Sequence, residues 1–525
     1  MDVCSWIRNL PSPTDWPESD SQLTLQLASS NEKSVLFKAE RTSGSNTEAL
    51  VTFSISLHGF FHPPANLNKT LWVSNPCQLA STRNPVSLTV TLLHQLVQET
   101  IARAPASNDS MVAPFDLDPE SISRAFSSSP PEPAFSRFFN LVLLCRLFWL
   151  CISDAPAEAG LLFFQALAPS LHTFLQCKPA MSAFMAAVGA DGELLFMRTL
   201  GYMLAKWFIL REVREVSPSP VTDNRHLGLS YASESHGLLL LKGYAPVASM
   251  SRAGVNGARD YSGIFDAKES VLKYALAHQQ LEAVIQLEYS AAYHAGFIRV
   301  GVRLDNLRIH VTRLGFGGPE EQEQPYAHER YHPTRVRVWA GPVSGSSCPA
   351  SLTLGRSTDN PETEAEARTY VKGSFGKSKS SKAKAMVKSS TRVRRRDWRW
   401  EQHADGNTAI FEGVLCNYEH GAKAATWQPR TGSNGEVGPR GGVQRRCWNG
   451  GLVFAGDEYG EEVSWRMGRE EVMREMDGGD LLKWRLGGKI WLSYWPCDSE
   501  NSHYETRSVE WCEEVKLPLA SGKYR

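Results

Sequence analysis

The sequence predicts an α+β protein: an N-terminal strand-rich part, a central helical layer, and a large antiparallel β assembly, sandwich- or barrel-like, with a disordered basic insertion. Three observations carry this expectation. Apolar residues alternate with period two over residues 21–97 and again from 285 onward, the signature of half-buried strands. Between these stretches, 134–215 repeats its apolar residues at three- and four-residue spacing, as an amphipathic helix does. Residues 368–399 hold twelve lysines and arginines against one acid, with few large apolar residues. The regions expected are 1–104 (strand-rich), 105–220 (helical), 221–358 (β-meander), 359–399 (acidic-then-basic insertion) and 400–525 (Trp-rich β, continuous with 221–358).

In the first region Leu23, Leu25 and Leu27 share one strand face, as do Val51, Phe53, Ile55 and Leu57. Leu88, Val90 and Leu92 repeat the alternation and read as a further strand. The Ser/Pro cluster 127–133 separates this part from the helices. Helical spacing then groups Phe138, Leu141, Val142, Cys145, Phe148 and Trp149, and later Leu200, Met203, Leu204, Trp207 and Phe208. Pro169 and Pro179 cut this layer into pieces.

A short helix-like stretch covers 268–280, and then period two takes over. Ile285, Leu287 and Tyr289 begin one strand; Ile298, Val300, Val302 and Leu304 form the next, and Leu307, Ile309 and Val311 a third. Asp305-Asn306 reads as the turn between the last two, and Gly487-Gly488 as another two-residue hairpin turn. Further strands are expected at 335–340, 352–355, 409–416, 451–455, 461–467, 481–486, 489–495 and 505–515. Nine of the fifteen tryptophans lie at or after Trp398, which predicts a large aromatic β core or an aromatic-lined pocket for an apolar ligand.

The chain holds 56 basic and 56 acidic residues, yet this neutrality is a cancellation. Residues 368–399 carry +11 and everything else −11. Such a segment cannot offset its ordering entropy by burial, so it reads as disordered. Lys377, Lys379, Lys382, Lys384 and Lys388, followed by Arg392, Arg394, Arg395 and Arg396, form two basic clusters. They suit a nuclear localisation signal or a tether to an anionic partner. A second basic feature comes from strand alternation: Arg299, Arg303, Arg308, Arg335 and Arg337 are expected to line one sheet face that could receive an anion.

The chain contains HExxH at His328-Glu329-Arg330-Tyr331-His332, the spacing by which one helical turn presents two imidazoles to zinc while the Glu activates water. Pro325 and Pro333 bracket it, and a residue before proline is pushed out of helical conformation. A hydrolase or metalloenzyme built on His328, Glu329 and His332 is therefore the alternative rather than the leading reading. Gly373–Ser378 ends like a phosphate-binding loop, but Val371 stands where its first glycine belongs. The ten cysteines form no CxxC and read as reduced thiols. Arg146, Arg198 and Lys206 interrupt the apolar helical runs and argue for buried helices rather than membrane spans.

Together these features predict a non-enzymatic binding or scaffold protein of the nucleus or cytoplasm. No cofactor and no metal are expected. Its expected partner is a protein, or nucleic acid or another polyanion held by the basic insertion, without membrane insertion.

Overall fold

The computed structural model describes residues 2–13, 15–16, 21–30, 32–42, 49–61, 68–79, 85–107, 115–127, 132–156, 158–163, 176–212, 228–248, 278–315, 330–343, 350–356, 363–375, 383–395, 398–415, 452–454, 460–470, 472, 481–495 and 505–518. The fold is α+β and sandwich-like, and none of its sheets closes into a barrel.

β1 (Gln22–Ser30), β2 (Lys33–Thr42), β3 (Ala49–His58) and β4 (Asn68–Val73) run in sequence order across an antiparallel sheet, and β5 (Cys77–Leu79) pairs with β3. Val51, Phe53, Ile55 and Leu57 of β3 are all buried, as their alternation predicts, beside Val35, Phe37 and Ala39 of β2. Phe37 stacks on Phe53 at 5.6 Å. This face shares one core with five helices: α1 (Val3–Arg8), α2 (Pro85–Ile101), α3 (Pro119–Ser127), α4 (Glu132–Ser153) and α5 (Lys178–Glu212).

Leu88, Val90 and Leu92 belong to α2, not to a strand. Leu92, Leu93, Leu96 and Val97 continue the apolar run at helical spacing, and Pro85 occupies the first helical position, where its missing N–H costs nothing. Pro179 sits in the first turn of α5 for the same reason, so it begins a helix rather than cutting one. The break lies instead at Gly189, whose φ of +73° is a left-handed conformation that glycine adopts without a Cβ clash. Two helical segments, Pro133–Cys151 and Lys178–Trp207, are long and apolar enough to cross a membrane; 94% of the first and 56% of the second lie buried in this fold.

The larger part is a sandwich. Its eight-stranded sheet runs β12 (Ala350–Thr353), β18 (Val463–Gly468), β10 (Phe297–Gly315), β9 (His278–Tyr293), β8 (Leu238–Ala248), β7 (Leu229–Ser235). β6 (Ala106–Ser107) and β17 (Leu452–Phe454) pair along β10. The facing five-stranded sheet runs β15 (Trp398–Asp405), β16 (Thr408–Leu415), β11 (Arg330–Pro342), β19 (Leu481–Trp495), β20 (Glu505–Pro518). Strands from 221–358 and from 400–525 thus interleave in both sheets. Their inner faces form one core, in which Trp465 of β18 meets Trp484 of β19 edge-on at 4.9 Å.

Two expected turns are not turns. β10 continues through Asp305 as one 19-residue strand, and the register against β9 slips between Leu304 and Asn306. That bulge keeps Val300, Val302 and Leu304 on the same buried face as Leu307 and Ile309, which is the parity change that suggested a turn. Gly487-Gly488 lies inside β19, paired on both sides. A Cβ on Gly487 would sit 1.9 Å from Cε2 of Trp339, so that glycine makes room for an indole on the neighbouring strand. Residues 268–277 of the expected helix lie outside the described residues, and His278 opens β9.

Two more strands fall within the insertion. β13 (Thr363–Phe375) and β14 (Ala383–Arg395) pair antiparallel over their whole length, from Thr363 opposite Arg395 to Phe375 opposite Ala383. The two form a sheet of their own, hydrogen-bonded to no other described strand. A charge-rich composition does not preclude pairing when the charges fall on alternate positions.

Candidate functional site

α5 crosses the outer face of the eight-stranded sheet, and the junction is a row of ion pairs, two of them buried. Strand parity places Leu241 and Ile285 in the sandwich core and turns Lys242, Tyr244 and Glu282 toward the helix. Glu193 of α5, 2% exposed, accepts hydrogen bonds from Tyr231 Oη, Tyr244 Oη and Lys242 Nζ, each at 2.6 Å. Burial, reinforced by the Glu193 charge, pushes both tyrosine hydroxyls well above their ordinary value, so they stay protonated donors. Arg198, one turn further on, grips Glu282 of β9 through Nε at 2.9 Å, and Thr312 also donates to that carboxylate. Lys178 and Ser230 converge on Glu513 of β20. Each of these carboxylates has its cation, so the arrangement joins layers.

The buried thiols point the same way. Burial pushes Cys4 and Cys77 up to about 11 and Cys151 and Cys177 up to about 12, which leaves them uncharged at neutral pH and poor nucleophiles. Cys145 is raised further by the same cause.

The HExxH motif does not form a helical site. His332 lies in β11 and is buried, while His328 and Glu329 lie outside the described residues. Among the described residues no group of three or more His, Cys, Asp or Glu could hold a metal. Trp400, Trp465, Trp484 and Trp511 are packed into the interior of the sandwich: Trp400 lies against Gly413, and Trp511 against Gly228 and Gly243, at distances that would exclude a Cβ.

The five arginines expected on one sheet face are divided between two. Arg299, Arg303 and Arg308 share the outer face of β10, whereas Arg335 and Arg337 belong to β11 on the opposite sheet. Because both inner faces meet in the common core, the two sets point away from each other. Arg299 pairs with Glu462 and Arg303 with Glu288. Arg335 and Arg337 both bind Glu412, with Arg335 over the Trp491 ring at 4.6 Å. Burial alone would raise the Glu412 carboxyl, but the two guanidiniums outweigh it and hold it below its usual value. Four of the five arginines are thus committed to carboxylates.

The basic hairpin remains. Lys377, Lys379, Lys382 and Arg396 lie outside the described residues, while Lys384, Lys388, Arg392, Arg394 and Arg395 lie on β14. In the observed register every residue stands opposite one of the same parity. Even register positions hold Arg368, Lys372, Lys384, Lys388, Arg392 and Arg394 against Glu364 and Glu366. Glu364 stands opposite Arg394 and Glu366 opposite Arg392. Odd register positions hold Thr, Ala, Val, Gly, Ser and Phe, with Arg395 at one end as their one charge. Sequence reasoning saw the charge density and missed this segregation, although period two over 363–375 and 383–395 was there to find.

No protein-family model matches the chain, and no curated protein matches it. Among solved structures, a pore-forming protein matches 55% of this chain and 99% of its own, at 8% identity and a TM-score of 0.18. The NetB toxin of Clostridium perfringens in its membrane-inserted form matches 55% of this chain and all of its own, at 8% identity and a TM-score of 0.14. These matches correct the expectation of a protein or polyanion partner without membrane insertion, since the proteins matched are pore-formers, one of them caught in the membrane. At such TM-scores they assign this chain no function in its place.

Proposed function

We propose that the protein is a binding protein of anionic lipid surfaces, with the β13–β14 hairpin as its tether. One observation carries this reading: β13 and β14 hold seven lysines and arginines against two glutamates, on a hairpin that pairs with no other described strand. The sheet-face arginines 299, 303, 335 and 337 are held by carboxylates of the same chain, which leaves the hairpin as the concentrated positive feature among the described residues. Each Lys or Arg near an anionic leaflet contributes about 1 kcal/mol, and salt weakens the attraction.

The test is sedimentation with vesicles. The full chain is expected to pellet with phosphatidylserine-containing vesicles at low salt, to be released by about 0.5 M salt, and to ignore purely zwitterionic vesicles. Replacing Lys372, Lys384, Lys388 and Arg392 by Gln is expected to abolish pelleting with an unchanged far-ultraviolet spectrum. Equal binding of that variant, or of neutral vesicles, would overturn the reading.

A further inference from the structure

We infer that the turn between β9 and β10 is a second lipid contact, where Arg466 and Arg469 bind phosphates of anionic headgroups and Tyr293 enters the interface. The inference rests on the lipid-binding reading and deepens it, by naming a headgroup site built from the sandwich itself.

β9 outruns its core. From Leu281 to Leu287 every second residue is buried, yet Ala291, Ala292, Tyr293, His294, Ala295 and Gly296 are all exposed, on both faces of the strand and around the turn. Backbone bonds close this turn: His294 N donates to Phe297 O at 2.9 Å, and Arg469 N, just past β18, donates to Gly296 O at 3.3 Å. The His294 ring stacks on Phe297 at 4.4 Å. Tyr293, 39% exposed, is one of three large apolar side chains open to solvent among the described residues. Residues 290–298 contain no lysine, arginine, aspartate or glutamate. A projecting tip of small and aromatic residues suits the boundary between headgroups and hydrocarbon, where an aromatic ring buries its apolar body and keeps its polar end wet.

The cations stand directly behind the tip. Arg299 and Arg466 are opposed partners across β10 and β18, a placement in which like charges repel. Glu462 answers one of them, pairing with Arg299 at 3.4 Å. Arg466 lies with its guanidinium over the Phe297 ring at 3.8 Å, and neither it nor Arg469 pairs with a described carboxylate. Arg469 is near enough to act on Tyr293: partial burial raises that hydroxyl, and the Arg469 charge opposes the rise. By contrast Arg303, Arg335 and Arg337 are each held by a carboxylate. A guanidinium presents its donors in a planar fork that matches phosphate oxygens, and stacking on an aromatic face leaves that fork free at its edge. A polyanion in solution would meet the arginines and gain nothing from the uncharged tip. A phospholipid surface engages both, with phosphates at the arginines and the tip beyond them.

The experiment is sedimentation of the full chain over a range of phosphatidylserine-containing vesicle concentrations at about 0.15 M salt, where distant charges are screened. Arg466→Gln with Arg469→Gln is expected to weaken binding about tenfold or more. Arg103→Gln with Arg356→Gln removes the same charge from exposed positions away from the turn and is expected to bind as wild type does. Tyr293→Ser, with every arginine intact, is expected to weaken binding about fivefold. All three variants should keep the wild-type far-ultraviolet spectrum. Inorganic phosphate is expected to release wild type no better than chloride at equal ionic strength.

Equal binding by the two double-glutamine variants, or by Tyr293→Ser and wild type, would overturn this inference and leave the hairpin tether standing. Weakened binding by Arg466→Gln with Arg469→Gln, beside undiminished binding by the fourfold Gln variant of the hairpin, would overturn the tether and leave the turn as the lipid contact. Release by phosphate beyond that by chloride would assign the arginines to free phosphate and overturn the headgroup contact. A wild type that stays in the supernatant at every lipid concentration would overturn both readings.

Discussion

Asp2 shows how much a single carboxylate organises. It accepts from Ser5 N and Ser5 Oγ, closing the first turn of α1, and from Ser136 Oγ and Asn140 Nδ2 of α4. Asn140 returns the contact by accepting from Val3 and Cys4 backbone N–H groups, so α1 is docked on α4 through two side chains. Burial would raise the Asp2 carboxyl, but these hydrogen bonds prevail and lower it from 3.8 to about 2. A carboxylate more acidic in the folded than in the unfolded chain stabilises the fold above its unfolded value, and that contribution is lost as pH falls through its folded value. The difference in urea midpoint between wild type and Asp2→Asn is therefore expected to be constant above about pH 5 and to shrink toward pH 2. A difference independent of pH would show that the ionised carboxylate contributes nothing. None of this was legible in the sequence, which shows an acid at position 2 but not the partner 138 residues away.

At the scale of elements, β19 makes the sharpest case for reading strands through their neighbours. Gly487-Gly488 has the composition of a hairpin turn, and only the pairing of β19 with β11 and β20 shows that it is a mid-strand gap holding Trp339. Gly487→Ala is expected to overpack that gap and to lower stability by about 1–3 kcal/mol, measured by denaturant unfolding. Combining it with Trp339→Leu should recover most of the loss. β10 gives the same lesson: a parity break at Asp305 fits a turn or a bulge equally well, and the uninterrupted partner strand β9 decides between them. What local pattern did reveal was which residues face the core, since Ile285, Leu287, Ile298, Val300, Val302 and Leu304 are all buried. The pairing of β13 with β14 was hidden for the opposite reason. Its alternation is strictly local, but small residues such as Ala, Thr and Gly leave only a weak hydrophobic signal beneath the lysines and arginines.

For the whole molecule, the ion-pair seam joins the helical layer to the sandwich. Glu193, Arg198 and Lys178 were visible in the sequence only as charges in an apolar run. Their partners Lys242, Glu282 and Glu513 lie 49, 84 and 335 residues further on, beyond the reach of any local pattern. Removing one member of a buried pair leaves the other uncompensated, so Glu193→Ala is expected to cost about 3–5 kcal/mol. Glu193→Leu combined with Lys242→Met should cost much less, because the second charge leaves with the first. Equal losses in the two variants, read from unfolding midpoints, would show that the seam acts through its tyrosine hydrogen bonds alone.

The seam also constrains the order of events during biogenesis. β20 follows all other described strands in the chain, and its Glu513 holds both Lys178 at the start of α5 and Ser230 of β7. The helical layer can collapse on the N-terminal sheet while synthesis continues, but its contact with the sandwich stays unfinished until β20 has been translated. Loop closure over more than three hundred residues is slow and leaves apolar faces waiting for cover. A nascent chain halted before β20 should therefore be a strong client for chaperones, and the finished chain a weak one.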